Sequence, residues 1–143
     1  MSIEVTTVVD DAAAELWRQV HNTVIPATPL TSSEVRDRRR RNRLTLAHAA
    51  GVLVGNATVR PATDQRPPTV IVRILPEHRR HGYGTEYLQR LLTDDPALRA
   101  GDLATVVLCA NHDGLSFARR HGFVEVERYQ VGGAEYADLV RRR

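Results

Sequence analysis

The segment that most constrains this chain runs from an apolar stretch, through a basic glycine loop, into a helical pattern. Val70-Ile71-Val72-Arg73-Ile74-Leu75 ends at Pro76, and Arg79-Arg80-His81-Gly82-Tyr83-Gly84-Thr85 follows. Leu88, Leu91 and Leu92 lie four, seven and eight positions beyond Gly84, the stripe of an amphipathic helix. The order is therefore strand, loop, helix. Such a loop offers unpaired backbone N–H groups at the positive end of a helix dipole, a seat for a phosphate or pyrophosphate. Gly82 and Gly84 lack a β-carbon, so the backbone can approach an anion closely and take a positive φ if the turn requires it. Two common phosphate loops do not fit. A Walker loop needs a Lys before Thr85, and a dinucleotide-binding fingerprint needs three glycines where this loop has two.

The 143 residues, 42% of them hydrophobic, suit one compact domain spanning 1–143. No apolar run approaches the length of a membrane-spanning helix, so no membrane partner is expected. The N-terminus, MSIEVTTVVD, has no basic segment followed by an apolar one and does not read as a signal peptide. Cys109 stands alone in an apolar run, which predicts a buried small hydrophobe in a reducing, cytoplasmic setting. The net charge of +3 permits anionic partners without requiring them.

Strand and helix signals alternate along the chain. Ile3 to Val9 reads as a strand, and Asp10 or Asp11 caps a helix with Ala13, Leu16, Trp17, Val20 and Val24 on one face. Thr31 and Glu34 have capping-box spacing and open a second helix to about Arg43, dense in arginine (Arg36, Arg38, Arg39, Arg40, Arg41, Arg43). Residues 44–49 and 52–59 form strands around Ala50-Gly51, and Pro61 to Pro68 reads as a mobile polar loop. After the strand at 70–75 and its loop-helix, Ala104 to Ala110 is a central strand and Asn111 to His121 a short helix. Gly122-Phe123 is a helix stop of the C′ glycine kind, and 124–129 with 135–140 complete a strand pair.

The resulting order, β-α-α-β-β-β-α-β-α-β-β, resembles the GNAT superfamily of acyl-CoA-dependent N-acyltransferases over nearly the whole chain. Two motifs carry the resemblance. The family's Gln/Arg-x-x-Gly-x-Gly/Ala signature stands as Arg79-Arg80-His81-Gly82-Tyr83-Gly84, and its Asn some eleven residues before a Gly-Phe pair stands as Asn111 through Gly122-Phe123. The resemblance implies an α/β (α+β) GNAT-type domain with a mixed, mostly antiparallel sheet. A bulge in the fourth strand would splay a central parallel strand pair, and pantetheine would enter that gap.

It also implies an N-acetyltransferase that moves an acyl group from acetyl-CoA, or another short acyl-CoA, directly to a primary amine of a small molecule or peptide, without a metal. An N–H near Ile74 would polarise the thioester oxygen. Leu75, Arg79, Arg80, His81, Gly82, Tyr83, Gly84 and Thr85 would hold the donor with Phe117, Arg120 and Asn111, and Asn111 is also a candidate catalytic residue. The family often supplies a Tyr as general acid four residues before Gly122, where this chain has Ala118. Ser116 lies roughly on the opposite side of that helix. The missing acid leaves a second reading open, a CoA-binding module with weak or lost catalysis. The arginine segment reads as a solvated face or a contact for an anionic acceptor. It lacks the aromatics of a nucleic-acid platform, so nucleic acid is the least favoured partner. Trp17 reads as core and His21 as a surface or helix-end residue. The acceptor pocket is expected between the first two helices, the 61–68 loop and the hairpin at Gly132-Gly133. The terminal strands leave edges that could pair in a homodimer.

Overall fold

The computed structural model describes residues 2–143. Seven strands and four α-helices follow in the order β1 (Ile3–Thr7), α1 (Asp11–Val24), α2 (Ser32–Arg41), β2 (Arg43–Ala49), β3 (Val52–Arg60), β4 (Thr69–Ile74), α3 (Tyr83–Asp94), β5 (Leu103–Leu108), α4 (His112–Arg120), β6 (Val124–Val131) and β7 (Ala134–Arg141). One sheet holds all seven strands in the order β1-β2-β3-β4-β5-β7-β6. Every neighbouring pair is antiparallel except β4 and β5. This is the mixed, mostly antiparallel sheet with a central parallel pair that the GNAT resemblance implies.

The helix ends follow from local chemistry. Asp10 Oδ1 accepts the Ala13 N–H at 2.8 Å and starts α1. Thr31 and Glu34 complete a reciprocal capping box at α2. At the end of α4, Phe123 N–H bonds Ala118 O and Gly122 N–H bonds Arg119 O, with Gly122 at φ +86°. That is a Schellman stop, and its left-handed residue is the glycine the sequence supplies. Both two-residue hairpin turns, Ala50-Gly51 and Gly132-Gly133, have positive φ at each central residue, the geometry that matches strand twist.

Alternation along β4 sends Val70, Val72 and Ile74 into one core with Tyr87, Leu88 and Leu91 of α3 and Leu115 and Ala118 of α4. Arg73 points to the other face, against Trp17 of α1. Trp17 is fully buried, its indole N–H bonding Ala57 O at 3.1 Å. The buried face of α1 is rotated from the expected one. Leu16 is 38% exposed, whereas His21 is 6% exposed. The cause is the floor beneath the helix, where Asn56, Thr58 and Arg73 are polar and buried, so a histidine faces them more readily than a leucine.

Two further expectations change. No bulge interrupts β4, which keeps one continuous register against β3 from Gly55↔Ile74 to Arg60↔Thr69. The register shifts fall instead in β2 and β6. The parallel pair opens because β5 follows β7 along its whole length, from Leu103↔Arg141 to Leu108↔Tyr136, and meets β4 only at Thr69↔Ala104. The 61–68 loop is not loose either. Thr63 and Arg66 bridge, and Arg66 reaches Asp138 of β7 through Nη1 at 2.9 Å and Nη2 at 2.6 Å.

Candidate active site

Where β4 and β5 part, a cleft of about 630 Å³ passes through the sheet from the α3/α4 face to the α1/α2 face. Of the residues assigned to the donor from sequence, Ile74, Arg79, Arg80, Gly82, Tyr83, Gly84, Thr85, Phe117 and Arg120 line it. Leu75, His81 and Asn111 do not. Leu75 packs with Val20 and Val24 on the α1 side. His81 is exposed, its ring 5.6 Å from that of Tyr83. Asn111 spends its side-chain oxygen capping α4 through Gly114 N–H at 3.0 Å. Ser116, expected to face away, lies on the wall beside Ala118.

The donor end is built on the first turn of α3. Gly82 caps the helix at φ +79° with no side-chain hydrogen bond, and the first intrahelical bond runs from Glu86 N–H to Gly82 O. The N–H groups of Tyr83, Gly84 and Thr85 thus have no helical acceptor and end at the cleft. Arg80 also takes a left-handed conformation, φ +68°, uncommon outside glycine. Gly84 is needed for a separate reason, since a β-carbon there would stand 2.9 Å from Cε1 of Phe117. Arg79 crosses the cleft mouth, its Nε donating to Ile74 O at 3.0 Å and its Nη1 to Asp113 Oδ2 of α4 at 3.2 Å.

The waist of the cleft is a strand edge without a neighbour. Leu75 N–H bonds Val54 O of β3 at 2.9 Å. In an antiparallel ladder successive N–H groups point to opposite sides, so the Ile74 N–H points toward the gap that β5 has left.

The acceptor side gathers His21 from α1, Arg38 and Glu34 from α2, Arg60 from β3, Arg73 from β4, Tyr129 from β6 and Tyr136 from β7. The loop at 61–68 does not line it. Asn22 Nδ2 donates to Leu30 O, so Asn22 Oδ1 accepts from His21 Nδ1 at 3.0 Å and Nε2 is the unprotonated ring nitrogen. Burial, reinforced by Arg73, pulls the His21 pKa down to about 4, and the ring is neutral at pH 7.

Arg73 is 7% exposed. Its Nη1 donates to Asn56 Oδ1 and Thr58 Oγ1, each at 3.2 Å, and its Nε is buried without a hydrogen-bond partner. Burial, with Arg60 and Arg38 nearby, lowers its pKa to about 9, still charged at pH 7. Desolvation and the same kind of neighbours lower Arg60 too. Burial raises Tyr129, which stays protonated. The Glu34 carboxylate is pulled down by the Thr31 backbone bond of its capping box. His21, Arg60 and Arg73 were missed from sequence. Only Arg73 left a local signal, a charge inside an otherwise apolar strand.

A model of the acetyltransferase (GNAT) family matches residues 10–123. The chain belongs to that family. Solved GNAT-like structures share its fold along the entire chain. An acetyltransferase from Thermus thermophilus superposes with a TM-score of 0.75 at 21% identity, covering 100% of this chain and 98% of the other. The yncA protein of Salmonella typhimurium, solved with its cofactor acetyl-CoA, gives 0.71 at 15% identity, with 99% and 94% covered. The PaiA N-acetyltransferase of Thermoplasma acidophilum, in complex with coenzyme A, gives 0.72 at 14% identity, with 100% of both chains covered. No curated protein matches the sequence significantly. No helix among the described residues is long and apolar enough to cross a membrane.

Proposed function

We propose that this GNAT protein transfers an acyl group from acetyl-CoA, or another short acyl-CoA, directly to the amine of a second substrate. The observation that carries this reading is the cleft itself, which joins the open first turn of α3 to the acceptor wall through the β4–β5 gap. The amides of Tyr83, Gly84 and Thr85, with Arg80 and Arg120, suit a pyrophosphate. The Ile74 N–H, unclaimed by a strand, suits the thioester oxygen, where it would stabilise negative charge that grows as the amine attacks. The thioester supplies an activated acyl group and a thiolate that leaves readily.

Proton handling is light in this chain. Ala118 contributes an apolar wall, 2% exposed. His21, with its low pKa, offers Nε2 as a hydrogen-bond acceptor for an incoming amine rather than as a store for its proton. The amine proton and the thiolate are both left to water.

Acetyl-CoA should raise the melting temperature, and a panel of amines should release free CoA thiol. No stabilisation by acetyl-CoA would sink the transferase reading. Stabilisation without turnover across amino acids, polyamines and peptide N-termini would move the protein to an acyl-CoA-binding module, the reading that Ala118 favours.

A further inference from the structure

The acceptor wall carries three arginines, Arg38, Arg60 and Arg73, against one carboxylate, Glu34. Among the described residues, no carboxylate lies within 4 Å of Arg38, Arg60 or Arg73, although nine such ion pairs form elsewhere. Of the acids nearby, Glu34 closes its capping box and reaches Arg38 only through space, and Asp138 holds Arg66. A buried guanidinium without a counter-ion is costly, and proteins retain one where something else supplies the negative charge.

Neighbours fix the guanidinium but leave one of its donors unpaired. Nη1 is tied to Asn56 and Thr58, and the plane is backed by the Trp17 indole, 5.3 Å from its centroid. The Nε–H has no protein partner and Arg73 forms part of the cleft wall. The missing acceptor for this covered Nε–H is what a carboxylate or phosphonate would supply, by seating against the Nε/Nη2 edge with two parallel hydrogen bonds.

Resting on the transferase reading, we infer that the acceptor is a small amine bearing an oxyanion, of the amino-acid type, whose anionic group binds Arg73 with Arg60 and Arg38 behind it. Arg73 and Ile74 are consecutive on β4 and line the same cleft, so a compact molecule can present its anion to the one and its amine to the thioester beside the other. The same cations disfavour an ammonium beside them and shift the bound amine toward its neutral, nucleophilic form. A chain without a strong base on this wall gains from that.

Paired acceptors test this: amino acids against their carboxamides, and aminoalkylphosphonates against the parent alkylamines. Each is followed by CoA thiol release and, independently of turnover, by the melting temperature in buffer of constant ionic strength. The oxyanion member should bind or react roughly 10- to 100-fold better, the worth of a charge-assisted hydrogen bond. Arg73→Met should erase the difference and leave the stabilisation by acetyl-CoA intact. Equal response to both members by the unaltered protein, or a preference that survives Arg73→Met, overturns the inference. Stabilisation by acetyl-CoA is the separate arm. Its loss strikes the transferase reading, whereas its retention without anion preference strikes only this one.

Discussion

The Arg73 guanidinium lies over the Trp17 indole, its central carbon 5.3 Å from the ring centroid, and the two residues share one partner in Asn56. Asn56 Nδ2 donates to Trp17 O at 2.9 Å, and Asn56 Oδ1 accepts from Arg73. Helix α1 is thereby latched to β3 and β4 through the same groups that orient the cation. Trp17→Ala should cost about 3–5 kcal/mol, the range for emptying a fully buried tryptophan site. Urea unfolding measures it, and a loss under about 1 kcal/mol would contradict the latch.

The donor seat can be probed without disturbing the fold. Arg80 is exposed at φ +68°, a conformation whose cost Arg and Glu share because both carry a β-carbon and an unbranched stem. Arg80→Glu should weaken acetyl-CoA binding roughly tenfold, read as a smaller thermal shift, and leave the free protein's melting temperature almost unchanged. Gly84→Ala should also reduce the shift, because the new methyl pushes the Phe117 ring toward the cleft. An undiminished shift in both variants would place the donor elsewhere.

His21 makes stability depend on pH in a defined window. Its folded pKa, about 4, lies below its ordinary value of 6.5, so the unfolded chain binds the proton more readily. Stability is complete above pH 6.5 and falls as pH drops toward 4, by about 3 kcal/mol in total. The Cm in urea, followed from pH 7 to 4, should decline more steeply for the native protein than for His21→Leu. Parallel declines would show that burial of His21 does not control that window.

The anchor of the 61–68 loop has its own signature. Arg66→Ala leaves the Asp138 carboxylate, 9% exposed, without its bidentate partner. A cost of about 2–3 kcal/mol is expected, below that of a fully buried pair because the Arg66 side chain is partly exposed. Amide exchange in 61–68 should accelerate in the variant more than in the α3 amides. Unchanged exchange there would mean that the prolines alone hold the loop.

The glycine loop, the caps and the helix stop were legible because their information is local. Gly82 and Gly84, Asn111, Gly122-Phe123, the Asp10 cap and the Thr31–Glu34 box each lie within a few residues of what they control. The sequence separation of the acceptor wall hid it. His21, Arg38, Arg60, Arg73, Tyr129 and Tyr136 come from six elements and meet only after the sheet forms. His21 was misplaced because apolar periodicity favours Leu16, whereas the polar floor of Asn56, Thr58 and Arg73 decides the rotation of α1. Arg66 was read as part of a loose loop because its partner is 72 positions away.

The parting of β4 from β5 has a mechanical side. The sheet consists of two leaves, β1–β4 and β5–β7–β6, hinged at Thr69↔Ala104 and clasped at each end of the seam. The hinge end carries the bidentate Arg66–Asp138 clasp, and the open end carries Arg79–Asp113, a 3.2 Å pair whose aspartate is 62% exposed and which adds at most about 1 kcal/mol. A long ligand lying in the seam would act as mortar between the leaves, and the free protein would breathe first at the end beside Ile74 and the glycine loop.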